Sequence, residues 1–84
     1  MTNQQIKEVC QKYNDFLTNF GVLESVRESD KPESLRHIKW MVNEIPKMLD
    51  EDKVEKANRW LGFVQGVFWS KQLFSIEELK EDNR

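Results

Sequence analysis

The segment from Arg59 to Trp69 constrains the fold more than any other part of this chain. It is the most apolar stretch, with two of the three tryptophans, two of the five phenylalanines and two of the three glycines. Its apolar residues recur with the period of an α-helix, over a wider arc than a helix with one buried face needs. Its length is about half of what a membrane-spanning helix requires. The segment therefore predicts the middle of a central helix.

The first helix has the clearest signals. Thr2 and Gln5 have the spacing of a capping box, and Gly21 stands where a left-handed glycine would end the helix. Between them, the apolar residues fall on one narrow stripe: Ile6, Val9, Cys10, Tyr13, Phe16, Leu17 and Phe20. These signals predict a helix over residues 3–20.

A second helix is predicted over residues 32–45. Ser29 or Asp30 can cap it, and Pro32 is tolerated in a first turn. Its buried stripe is formed by Leu35, Ile38, Met41, Val42, Ile45 and Leu49. Pro46 lies inside this pattern and lacks the N–H that a helix interior uses, so the helix is expected to end or bend just before it.

The third helix is predicted over residues 51–72, with the acidic residues 50–52 at its positive N-terminal end. A capping box that opens at Ser75 predicts a short last helix over residues 76–82. Nothing predicts a strand, and the chain is too short for two cores. The fold class is therefore all-α, a compact bundle of three main helices plus a short C-terminal helix in a single domain of residues 1–84. Such a small domain leaves a homo-oligomer open.

Composition narrows the class of partner and the compartment. A third of the residues are charged and the net charge is −2, which gives no attraction to nucleic acid or to an anionic membrane. We expect no nucleic-acid partner and no direct membrane insertion. The single cysteine fits a reducing compartment, and the polar N-terminus lacks the apolar stretch of a signal peptide. The sequence therefore predicts a cytoplasmic protein.

Catalytic and metal-binding signals are weak throughout the chain. His37 is the only histidine, so one chain cannot build a two-histidine metal site. Cys10 lies within the apolar stripe of the first helix, where a small core residue is expected. The acidic residues 50–52 lack the spaced oxygen ligands and the turn glycine of a calcium loop. We expect no catalytic residue, no cofactor and no metal ion, and therefore no enzyme.

Four residues are candidates for binding a protein partner: Trp40, Gly62, Gly66 and Trp69. The two tryptophans fall outside the apolar stripes of their helices, and aromatic residues in such positions are enriched at interfaces. A neighbouring segment that covers them would explain them equally well. Each glycine inside a helix costs about 1 kcal/mol relative to alanine. The close approach of another backbone would offset that cost.

Several segments of the C-terminal half stand out together. They are Arg59–Val67 (RWLGFVQGV), Ile76–Leu79 (IEEL) and the terminal Asp82–Arg84, with His37–Met41 upstream. In these segments the chain resembles small accessory proteins of tailed bacteriophages, and its size and helicity are similar to those of the rapid-lysis-inhibition accessory proteins of T-even-type phages. The resemblance covers roughly the last half of the chain and leaves the first thirty residues unmatched.

The resemblance implies a binding protein rather than an enzyme. Such a protein would delay host lysis by holding the cytoplasmic part of a phage holin in a non-permissive arrangement, alongside a periplasmic antiholin. The resemblance does not identify any binding residues in this chain. Two other interpretations stay open. One is a phage inhibitor of a host enzyme or defence system, and the other is a nucleic-acid-binding regulator, which the charge balance disfavours.

Overall fold

The computed structural model describes residues 1–84 and contains four helices. They are α1 (Asn3–Asn19), α2 (Leu35–Asp50), α3 (Val54–Ser70) and α4 (Ile76–Asp82), and no strand is present. α2 packs against both α1 and α3, in a molecule that measures 29 × 29 × 20 Å. The predicted all-α bundle of three main helices and a short fourth one is confirmed.

An aromatic cluster forms the centre of the core. The ring centroid of Phe68 in α3 lies 5.0 Å from that of Tyr13 and 5.9 Å from that of Phe16, both in α1. Phe74, just before α4, lies 5.1 Å from Phe68 and 5.4 Å from Tyr13. Such pairs each stabilise a fold by about 0.5–1.5 kcal/mol beyond the burial of their area. The cluster therefore fixes α1, α3 and the start of α4 against one another.

α1, α2 and α3 end in the same hydrogen-bond motif. After α1, Gly21 has a φ of 99°, and the N–H of Val22 donates to the carbonyl of Leu17 at 2.8 Å. The glycine end predicted for α1 is therefore confirmed. After α2 and α3, Asp52 (φ 61°) and Gln72 (φ 60°) adopt the same left-handed conformation without being glycine.

α2 continues to Asp50, so of the two outcomes predicted at Pro46, an end or a bend after which the helix continues, the end at residue 45 is wrong. Pro46 lies within the helix. A proline removes one backbone hydrogen bond and strains one turn, but Met48 and Leu49 in the following turn are buried in the core. The burial of these two side chains outweighs the local cost, because tertiary packing supplies most of a helix's stability.

Replacing Pro46 with alanine is expected to raise the free energy of unfolding by about 1–2 kcal/mol. Alanine supplies an N–H for the carbonyl of Val42 and relieves the ring clash, while it gives the unfolded chain slightly more freedom. Urea unfolding of the variant and the parent protein measures the difference. A loss of stability would mean that the core is fitted to the backbone geometry that proline imposes.

The start of α2 also differs from the prediction of residue 32. The helix begins at Leu35, with Ser34 before it. The hydroxyl of Ser29 accepts a hydrogen bond from the backbone N–H of Lys31 and donates one to the carbonyl of Lys31. Because this hydroxyl stabilises a local turn, it does not cap a helix, and α2 starts after the turn.

α3 is shorter than the predicted range of 51–72 and begins at Val54. The acidic residues assigned to its N-terminal end lie elsewhere: Asp50 ends α2, Glu51 follows it, and Asp52 forms the left-handed turn. Only Glu55 is an acid in the first turn of α3. The shift arises because residues 51–53 form the turn that ends α2, with the N–H of Lys53 donating to the carbonyl of Met48, and so α3 can begin only after them.

Candidate protein-binding surface

The outer face of α3 carries two glycines and two large exposed rings. At about 100° per residue, Gly62 and Gly66 lie opposite the buried stripe of the helix. Trp69 borders them on one side and is 57% exposed, and Phe63 borders them on the other and is 42% exposed. Apolar side chains of this size are usually covered in a monomer when they lie together. This helix face is therefore left without a partner inside the chain.

Nothing in the chain approaches either glycine. A Cβ atom added at Gly62 or at Gly66 would meet no atom within 4 Å. The internal close approach that would offset their cost is thus absent. Two helical glycines without an internal role lower stability by about 2 kcal/mol relative to alanines. The open space above them leaves room for the close approach of a helix from another molecule, since small residues let two backbones come close.

A cleft between α3 and α4 continues this face. It has a volume of about 170 Å³, and its walls include Gly66, Trp69, Leu79 and Lys80. Ile76, in the first turn of α4, is 47% exposed and lines the cleft beside Trp69. We define the outer face as Gly62, Phe63, Gly66, Trp69 and Ile76.

A network of buried and partly buried hydrogen bonds holds α4 against the bundle and so fixes the cleft. The hydroxyl of Tyr13 donates to Asp82 Oδ2 at 2.9 Å and accepts from Gln65 Nε2 at 3.0 Å. The amides of Gln65 and Asn83 exchange two further hydrogen bonds, of 2.9 and 3.1 Å. Burial raises the pKa of the Tyr13 hydroxyl, so it stays protonated and able to donate. Lys12 completes the network with an ion pair to Asp82 at 2.7 Å.

Trp40 lies in a different place from the other three candidates. It is half-buried between α2 and α3, with its ring centroid 5.5 Å from those of His37 and Trp60. It lines a pocket of about 450 Å³ that shares no residue with the α3–α4 cleft. The structure therefore brings Gly62, Gly66 and Trp69 together and separates Trp40 from them.

Two residues of the outer face were not among the candidates from sequence. Phe63 belongs to the wide apolar arc predicted for the third helix, but it lies about 125° from the centre of the buried residues and points outward. Ile76 gave no signal in the sequence, since a first-turn apolar residue in a short helix usually joins the core. Here Leu79 and Phe74 fill that role and Ile76 stays exposed.

The structure offers little else for chemistry. No three His, Cys, Asp or Glu side chains come together in a way that could hold a metal ion. Cys10 is buried, as predicted, and burial raises its pKa to about 12.

None of the four helices combines the length and apolar character that a membrane crossing needs. Comparison with known protein families, curated proteins and solved structures finds no match to the chain.

Proposed function

We propose that this chain acts by binding another protein on the outer face. One observation carries the proposal: a 57% exposed tryptophan beside two helical glycines with open space above them. Tryptophan is the residue type that most often dominates the binding energy of an interface. Glycines that cost stability are explained if a partner uses the space they leave. No catalytic step is part of this function.

The geometry favours an amphipathic helix of the partner as the bound element. Such a helix can lie over Gly62 and Gly66 and place a large apolar side chain in the cleft beside Trp69. Arg59 and Lys80 are exposed at the edges and make no ion pair within the chain. An acidic residue on either side of the partner's apolar stripe would complement them.

The biological role that fits this surface best is that of a cytoplasmic phage accessory protein that delays lysis. The C-terminal segments that resemble phage accessory proteins, Arg59–Val67 and Ile76–Leu79, supply four of the five outer-face residues. Asp82 and Asn83, from the terminal segment, hold α4 in place. The partner would then be the cytoplasmic part of a phage holin, kept in a non-permissive arrangement by the bound protein.

Replacing Trp69 with alanine is expected to weaken binding to a holin's cytoplasmic segment about tenfold or more. Stability should change little, because this side chain is mostly exposed. Calorimetric titration measures the affinity. Leu23→Ala is the matched control, since Leu23 is 74% exposed and lies in the connection before α2, outside the outer face.

Equal affinities of the Trp69→Ala variant and the parent protein would contradict the proposed surface. If no holin segment binds, but a host enzyme or defence protein does and the binding depends on Trp69, the surface is correct and the lysis role is wrong. Native mass spectrometry of the protein alone tests the third possibility, that a second copy occupies the face. A dimer that Trp69→Ala dissociates would assign the surface to self-association.

A further inference from the structure

A second concave site lies between α2 and α3, separate from the outer face. Its floor consists of Trp40, Trp60 and the buried Met48. Its volume of about 450 Å³ falls within the range of about 300–1,000 Å³ that small-molecule sites occupy. We call it the tryptophan pocket.

Paired charges form one part of the rim of the tryptophan pocket. Glu44 is neutralised by Lys47 at 2.8 Å, and Glu51 by Lys53 at 2.9 Å. The hydrogen bond and charge of Lys53 hold the pKa of the Glu51 carboxyl below its ordinary value. Each carboxylate is thus paired with a lysine, and the charge of Lys56 also acts on Glu51.

Arg27 and Lys56 complete the rim, and neither makes an ion pair. The rim therefore has an excess of two positive charges in a chain whose net charge is −2. The Lys56 ammonium lies 5.3 Å from the ring centroid of Trp60, at the boundary between the aromatic floor and solvent. Two cations without a direct ion pair, at the edge of an aromatic floor, are the chemistry that a flat anion would recognise.

The position of Arg27 is set by its neighbour in the chain. The N–H of Val26 donates to the carbonyl of Arg36 at 3.1 Å, and His37 Nδ1 lies 3.1 Å from the carbonyl of Val26. A carbonyl can only accept, so this nitrogen of His37 bears the proton. These two bonds attach the connection before α2 to the helix, beside Arg27, whose side chain lines the pocket.

We propose that the tryptophan pocket binds a nucleoside monophosphate, with its base against Trp40 and Trp60 and its phosphate at Arg27 and Lys56. Bases stack on tryptophan without regard to sequence. A guanidinium presents planar donors that match a phosphate, and a lysine adds a point charge. The two negative charges of the phosphate dianion match the two excess positive charges of the rim.

Other anions fit the tryptophan pocket less well. A carboxylate has one negative charge rather than two, and an acidic peptide spreads its charges along a backbone that would meet the satisfied carboxylates of the rim. A nucleic acid has further phosphates that would face a chain of net negative charge. A small dianion with one flat ring requires only the two tryptophans and the two cations that lack an ion pair.

Tryptophan fluorescence gives a direct test. A Trp69→Phe background leaves only the two pocket tryptophans as emitters, and titration with AMP is expected to quench them. Adenosine alone and inorganic phosphate alone should each bind at least about tenfold more weakly, because each lacks half of the recognised chemistry. Arg27→Ala and Lys56→Ala should each weaken AMP binding about tenfold.

Lys31→Ala is the control for net charge. Lys31 is exposed, makes no ion pair and lies outside the pocket, so its loss should leave AMP binding unchanged. The proposal is overturned if AMP does not quench the pocket tryptophans, or if Arg27→Ala and Lys56→Ala both bind AMP as the parent does. It is also overturned if an oligonucleotide or an acidic aromatic peptide binds more tightly than AMP, since the pocket would then serve a polymer. None of these results tests the outer face, because the Trp69→Ala experiment tests it separately.

Discussion

Replacing Gly62 and Gly66 together with alanine is expected to stabilise the protein by about 2 kcal/mol and to weaken binding of its partner. The gain comes from helix propensity, because alanine loses less backbone freedom on folding and the added methyl groups meet no atom within 4 Å. The loss in affinity comes from the same two methyl groups, which occupy the space a partner backbone would enter. Stability and function therefore change in opposite directions.

Urea unfolding measures the first effect and calorimetric titration of the partner segment the second. Gly21→Ala is the matched control. Its Cβ would also meet open space, but its φ of 99° is one that alanine adopts only with strain. This variant should be destabilised, by about 1 kcal/mol or more, and should bind as the parent does.

The outcome separates two explanations of the glycines. If the double variant is more stable and binds equally well, the glycines have no part in an interface and the outer face is reduced to its aromatic residues. If it is less stable, the helix needs glycine for a reason inside the chain, and the open space above it is not a binding surface. Only a rise in stability together with a fall in affinity supports the proposal.

The parts of the fold that could be predicted are those determined by neighbours in sequence. Thr2 with Gln5 and Ser75 with Glu78 both form the capping boxes that their spacing indicates. Gly21 ends α1 because only glycine takes a left-handed φ without strain. In each case a few adjacent residues carry the whole signal, and the rest of the chain does not alter it.

The boundaries that were wrong depend on tertiary packing. Pro46 argues for a helix end, but the burial of Met48 and Leu49 carries α2 past it. The turns after α2 and α3 use Asp52 and Gln72 in a left-handed conformation, which such residues adopt uncommonly. No local pattern identifies them, because the strain is offset by the packing of the helices on either side.

The candidate sites also divide into a part that local sequence predicts and a part that depends on tertiary packing. Gly62, Gly66 and Trp69 share one helix face, so helical periodicity alone could bring them together. The tryptophan pocket combines Arg27 from the connection with residues of α2 and α3, and no spacing in the sequence relates them. The sequence marks Trp40 as unusual for its helix, but its contact with Trp60 depends on the packing of α2 against α3.

Alkaline solution is expected to destabilise the protein through Cys10, with a total loss on the order of 4 kcal/mol. Burial raises the pKa of this thiol from 9.0 to about 12. Three pKa units at about 1.36 kcal/mol each give that total. Above pH 9 the unfolded chain releases the thiol proton while the folded chain keeps it. The unfolded state is favoured progressively, and the loss is complete near pH 12.

The interval between pH 8.5 and pH 10 isolates this thiol. The pKa of Tyr13 is also raised by burial from its ordinary value of 10.0, but Tyr13 is present in both the parent and Cys10→Ala, so its contribution cancels in their difference. Urea unfolding of the parent and of Cys10→Ala should therefore give free energies that converge as the pH rises through this interval, by about 1 kcal/mol. Alanine itself lowers stability at every pH because it leaves a cavity. The quantity to compare is therefore how the difference in unfolding free energy between the two proteins changes with pH, and not its size at neutral pH. A difference that stays constant would mean that the thiolate is accommodated in the folded protein, and that the centre of the α1 stripe admits water.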